Sequence, residues 1–156
     1  MDSYKLLLFL HVVTAIVALG STFALPFLQG FASRQGVGAM RTYLKFTLYQ
    51  DNLLVLPGAA LVALFGVGLI FDDATGYKDD FPTWLMIAIA WFIVVPVIDW
   101  FLMRPLTRKA IDLLEGVPDD GEFPTSFKAL ESRAGMLGGL MGLSVIGITF
   151  LMVWKP

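Results

Sequence analysis

Apolar residues do not alternate with polar ones along this chain. They gather into four long runs, Leu6–Leu28, Leu53–Phe71, Trp84–Met103 and Met136–Trp154, and nearly all of the charge lies between them. Each run holds about 19–23 residues, and about 20 helical residues cross a hydrocarbon core of roughly 30 Å. Lipid offers no hydrogen-bonding partner, so each run must satisfy its own backbone, which a helix does within one segment. The pattern predicts an all-α chain: a four-transmembrane-helix bundle, a single integral membrane domain over residues 1–156, surrounded by the lipid bilayer.

The connections carry helical signals of their own. Gly36-Val37-Gly38 breaks the chain after the first run. Met40, Tyr43, Leu44 and Leu48 then recur near helical spacing, so Ala39–Gln50 is expected to lead as a helix into the second span, with a kink near Pro57. Pro96 is expected to loosen the third span. Beyond that span the helical character continues over Arg104–Glu115 and stops at Gly116. Val117–Pro124, with two prolines, a glycine and three acids, reads as a loop, and Thr125 or Ser126 is the expected N-cap of the last helix.

Composition agrees: 57% of residues are hydrophobic and 15% charged, where a soluble domain carries about a quarter charged. The chain has no cysteine, which excludes disulfides, thiolate metal centres and cysteine nucleophiles. A net charge of −2 argues against a nucleic-acid partner. The first run exceeds the 7–15 residues of a signal-peptide core and Asp2 offsets Lys5, so it is expected to be retained as a helix.

Charge orients the spans. Arg34, Arg41, Lys45, Arg104, Arg108, Lys109, Lys128 and Arg133 lie on one side, against Lys5, Lys78 and Lys155 on the other. Positively charged loops stay in the cytoplasm, so both termini are expected on the outer side of a cytoplasmic (inner) membrane.

Ionisable residues at membrane depth are costly and mark candidate sites. His11, the single histidine, lies about six residues inside the first run, roughly 9 Å from its end. A neutral imidazole can ligate a haem iron, relay protons or hydrogen-bond a quinone; it can equally bond a neighbouring helix. With no second histidine or cysteine, the only metal role that fits is as a haem-iron ligand, not a zinc or copper site. Lys155 shares that leaflet and is a weaker candidate for contacting an anionic group such as a haem propionate. Asp99 lies near the opposite face, where Arg104, Arg41 or Lys45 are expected partners, and where Gln29, Asp51 and Asn52 can join a polar cluster. No nucleophile–base pair or phosphate-binding loop is visible, so catalysis stays open.

Small residues repeat at packing distance. Gly135 and Gly139, and Gly138 and Gly142, are four apart in the last span, a spacing that lets helices approach closely. They are expected to pack within the bundle, with a homodimer seam or a larger membrane complex as the alternative.

The opening Leu7-Leu8-Phe9-Leu10-His11-Val12-Val13, followed by Gly20 and Pro26, resembles the first helix of several small bacterial membrane families. The ending Leu151-Met152-Val153-Trp154-Lys155-Pro156 resembles an uncharacterised family of four-helix integral membrane proteins, a domain of unknown function whose span layout covers essentially the whole chain. The first-helix histidine is also similar to that of the haem-containing membrane protoporphyrinogen oxidases and the copper-resistance D family, which implies His11 as a haem or metal ligand, with Lys155 a lesser correspondence. The chain departs from the oxidase pattern at Ala18, where a tryptophan is expected, and over Pro26–Gly30. The leading expectation is a redox-linked membrane protein binding haem b or a quinone through His11. The alternatives are a non-catalytic accessory or assembly subunit and an oligomeric transport component using Asp99.

Overall fold

The computed structural model describes residues 2–155. Four long helices account for most of them: α1 (Ser3–Gln35), α2 (Val37–Phe71), α3 (Thr83–Glu115) and α4 (Thr125–Trp154). The four apolar runs lie within them, and each helix extends past its run at the face that carries the α1–α2 and α3–α4 connections. This is called the connection face below, and the opposite one, with both termini and the α2–α3 loop, the terminal face.

The breaks follow local chemistry. Gly36 separates α1 from α2 with a φ of +106°, a backbone region that L side chains avoid. The chain turns there, at one glycine, and α2 begins at Val37. The last helix begins at Thr125, but Pro124 holds the N-cap position with no side-chain capping bond, so the expected Thr125 or Ser126 cap is corrected to an uncapped entry. Proline at that position presets the backbone without needing an N–H.

Three helices are irregular at the same level. Ser21–Ala24 of α1 is a 3₁₀ turn, and Asp51–Val55 of α2 and Asp99–Met103 of α3 are π turns. The two π turns share a sequence, Asp followed six residues later by Pro: Asp51…Pro57 and Asp99…Pro105. Proline cannot donate to the preceding turn, and its ring displaces the carbonyl four residues back. The helix opens by one residue instead: the Leu56 N–H donates to the Asp51 carbonyl and the Arg104 N–H to the Asp99 carbonyl, each five residues back. The expected kink at Pro57 is thus a π turn just ahead of it, and Pro96 lies within a helix that continues to Ile98.

Packing is uneven along the molecule. α1 and α2 form one antiparallel pair, with Ala18 against Gly58, His11 against Gly66 and Leu7 against Gly68. α3 and α4 form another, with Trp91 against Gly147 and Met103 against Gly138. The hydrophobic core that joins the two pairs lies at the connection face: Val37 and Met40 from α2, Ala110 and Leu114 from α3, Phe127 and Leu130 from α4. Within the apolar stretches only 6–17% of residues are buried by protein, so there the covering material is lipid.

Arg41 locks this connection-face core. Its guanidinium donates to the carbonyls of Leu114 and Val117 at the end of α3 and pairs with Asp119 at 2.8 Å. The Leu114 carbonyl also accepts the Val117 N–H at 3.1 Å, and a cation at this helix end complements the negative end of the helix dipole. The loop bearing Asp119 approaches the start of α2 so closely that a Cβ on Gly38 would stand 2.7 Å from the Asp119 carboxyl carbon. Lys45 pairs with Glu115 at 3.1 Å beside it.

Candidate functional site

Polar side chains gather at two positions, one within the apolar stretches and one at their connection-face edge, and the fold keeps them apart. The first is His11, in the seam between α1 and α2. Its Nδ1 lies 2.9 Å from the carbonyl oxygen of Val62. A carbonyl has no proton, so Nδ1 carries the hydrogen and donates it. That leaves the Nε2 lone pair free of this bond. Room for the ring comes from Gly66, where a Cβ would come 3.2 Å from the imidazole. Gly58, Val62 and Gly66 are four residues apart and therefore form one stripe of α2 facing α1. His11 itself is half-buried.

Lys155 is not drawn to His11. It ends α4 in a left-handed conformation, φ +47°, and its ammonium lies 5.9 Å from the centroid of Tyr77, which meets Trp84 edge-on at 5.7 Å. Its observed partner is thus an aromatic pair of the α2–α3 loop region.

The second position is a cluster at the level of the irregular turns. Arg104 is its centre: Nε donates to Asp99 Oδ2 at 3.0 Å, Nη1 donates to Asn52 Oδ1 at 3.0 Å, and the guanidinium lies 4.8 Å from the centroid of the Trp100 ring. The residue is 4% exposed, and its Nη2 is buried with no hydrogen-bond partner among the described residues. Asp51 lies within charge–charge range of both Asp99 and Arg104. Nearby, Gln50 donates to Ser21 of α1 at 2.9 Å.

The predicted pairing of Asp99 with Arg104 is present. Arg41 is not part of this cluster: it is held at the connection-face core by Asp119 and two carbonyls, and Lys45 by Glu115. Gln29 also goes elsewhere, donating to Glu131 at 3.2 Å. Asn52 was named only as an accessory and is a direct partner of Arg104. The Val62 carbonyl has no sequence signal. The paired Asp-x₅-Pro spacing is the signal that marks the π turns. Among the described residues there is no group of three or more histidines and acids placed to hold a metal ion.

The chain belongs to a family described as predicted integral membrane protein (DUF2269), whose model matches residues 5–156. It is thus a multi-pass integral membrane protein of an uncharacterised family. No curated protein matches it. No solved structure matches it either.

Proposed function

We propose that this is a small redox-linked protein of the cytoplasmic membrane that binds haem b with His11 as an axial ligand, its termini and His11 on the outer side. One observation carries the reading: the hydrogen bond from Nδ1 to the Val62 carbonyl. Ligating histidines usually donate their other ring N–H to a carbonyl or carboxylate, which sets the tautomer and strengthens the ligand nitrogen. The donor set fits an iron held by one imidazole in an apolar surround. The same tautomer disfavours a quinone at this position: neutral Nε2 is an acceptor, and a quinone carbonyl requires a donor. When bound, haem would supply one-electron chemistry. The chain's part is to hold the imidazole and exclude water around it.

The test is a visible spectrum of protein purified in mild detergent and supplied with haemin. A Soret band that His11→Ala abolishes is the expected result. A preparation that binds no haem, or binds it equally well without His11, overturns the proposal.

A second reading, an accessory subunit that self-associates or joins a complex, is favoured by one observation. On α4, a Cβ at Gly135, Gly139 or Gly142 would meet nothing within 4 Å, while Gly138 and Gly147 are already packed. Small residues left open in lipid suit contact with another helix. Gly139→Leu is expected to shift the detergent-solubilised protein to a smaller species by analytical ultracentrifugation. An unchanged sedimentation profile removes α4 as a seam. Transport through Asp99 is the least supported alternative, because Arg104 already holds that carboxylate.

A further inference from the structure

The cluster around Arg104 contains two carboxylates and one guanidinium, and only one of the carboxylates is bonded to it. Asp99 is paired, 14% exposed at its side chain. Asp51 is half-buried and forms no ion pair among the described residues, although it senses both charges of the Asp99–Arg104 pair. Arg104 in turn has one nitrogen, Nη2, enclosed without an acceptor among the described residues, and an unmet buried donor is costly, the more so when charged. The cluster therefore holds an unmatched donor and an unmatched carboxyl at one level of the molecule.

The electrostatics narrows what this arrangement takes. A metal cation would be opposed by Arg104, and an anion by Asp51 and Asp99. A bulky neutral ligand is excluded from Nη2, which is sealed within the protein. A proton needs no cavity. We propose that the cluster is a proton-binding site in which Asp51 takes up and releases the proton and Arg104 is its switchable partner. On release, the Asp51 O–H bond breaks, the proton passes to water at the exposed edge of the carboxyl, and the carboxylate gains Arg104 Nη2 as a donor. On uptake, the O–H bond forms again, and the neutral carboxyl leaves Arg104 to Asp99.

The surrounding groups are compatible with this. Burial disfavours the charged form of Asp51 most; from α3, Asp99 disfavours it further and Arg104 favours it. From α2 itself, the Tyr43 phenol lies within range of the Asp51 charge and Asn52 occupies Arg104 Nη1. From α1, Ser21 and Thr22 reach this level, the former bonded to Gln50 and the latter to the Leu19 carbonyl. From α4, Gly138 lies against Met103, and the charged groups before it in that helix are Lys128, Glu131, which accepts from Gln29, and Arg133. Asp51 precedes the apolar run that starts at Leu53, so water can serve it from the connection face. The two π turns place both carboxyls and the guanidinium on one level, and such turns recur at functional sites.

This inference is independent of haem binding. Its test is a carbon-13 titration of aspartate-labelled protein in micelles, with the Asp51 signal assigned by its loss in Asp51→Asn. Asp99→Asn frees Arg104 for Asp51 and is expected to lower the titration midpoint by about one pH unit or more, whereas Arg104→Gln is expected to raise it by a comparable amount. His11→Ala should leave it in place. Circular dichroism and gel filtration establish that each variant folds, and Arg104→Lys substitutes if Arg104→Gln does not. An Asp51 midpoint that ignores both Asp99→Asn and Arg104→Gln or its substitute overturns the proposal.

Discussion

At Gly58 the two helices of the first pair come closest, since a Cβ there would stand 2.2 Å from the Ala18 Cβ. Neither neighbour is the far end of a flexible side chain, so Gly58→Ala must separate the backbones. Overpacking of this kind costs about 1–3 kcal/mol. Because Gly58, Val62 and Gly66 share one stripe, the separation also lengthens the 2.9 Å bond between His11 and the Val62 carbonyl. Gly58→Ala should therefore lower thermal stability in detergent and weaken haemin binding together. Ala18→Gly in the same chain is expected to restore both, because it removes the methyl that Gly58→Ala strikes. A double variant as unstable as Gly58→Ala alone would show that the close approach is not the cause.

Helices were the most legible elements, for a physical reason. A run of about 20 apolar residues has one backbone solution in lipid, and that solution does not depend on its neighbours. Helix interiors were less so. The pair Asp99–Arg104 is five residues apart, whereas side chains on an α-helix face each other at three or four. They meet because the turn between them is π, and the turn is π because Pro105 follows. Pro57 acts likewise on Asp51–Val55. Partners set by distant segments were less legible still: Asn52 was named for the cluster around Asp99, but the loop carrying Asp119 captures Arg41, and nothing near Arg41 in sequence announces it. The prolines give the prediction at this scale. Pro105→Leu supplies the missing N–H, lets α3 close into a regular α-helix and turns Asp99 away from Arg104. Hydrogen exchange should then show stronger protection of the amides over Met103–Leu106, with the Asp51 titration midpoint lowered as in Asp99→Asn. Unchanged exchange would mean that the π turn is held by the Arg104 contacts rather than by proline.

The molecule as a whole is two helix pairs joined at one end. In the apolar stretches each pair packs within itself, and the main apolar contact between pairs is the cluster of Val37, Met40, Ala110, Leu114, Phe127 and Leu130. Polar ties add to it: Arg41 and Lys45 reach the end of α3 and its loop, Arg104 reaches Asn52, and Gln29 reaches Glu131. Removing part of the apolar tie therefore should change the angle between pairs more than the structure of either. Phe127 is 2% exposed, and Phe127→Ala costs about 3–5 kcal/mol at a site that cannot collapse. Because the chain has no cysteine, spin labels can be placed at Leu64 on α2 and Leu143 on α4, both exposed, without removing any native group. In nanodiscs, Phe127→Ala is expected to broaden the distance distribution between these two labels. A pair of labels on Ile16 and Leu64, within the α1–α2 pair, should keep its width, since Ala18–Gly58 and His11–Val62 lie far from the lost contact along both helices. Equal broadening in both would show that the core holds each pair together as well as joining them, and the picture of two units hinged at the connection face would fail.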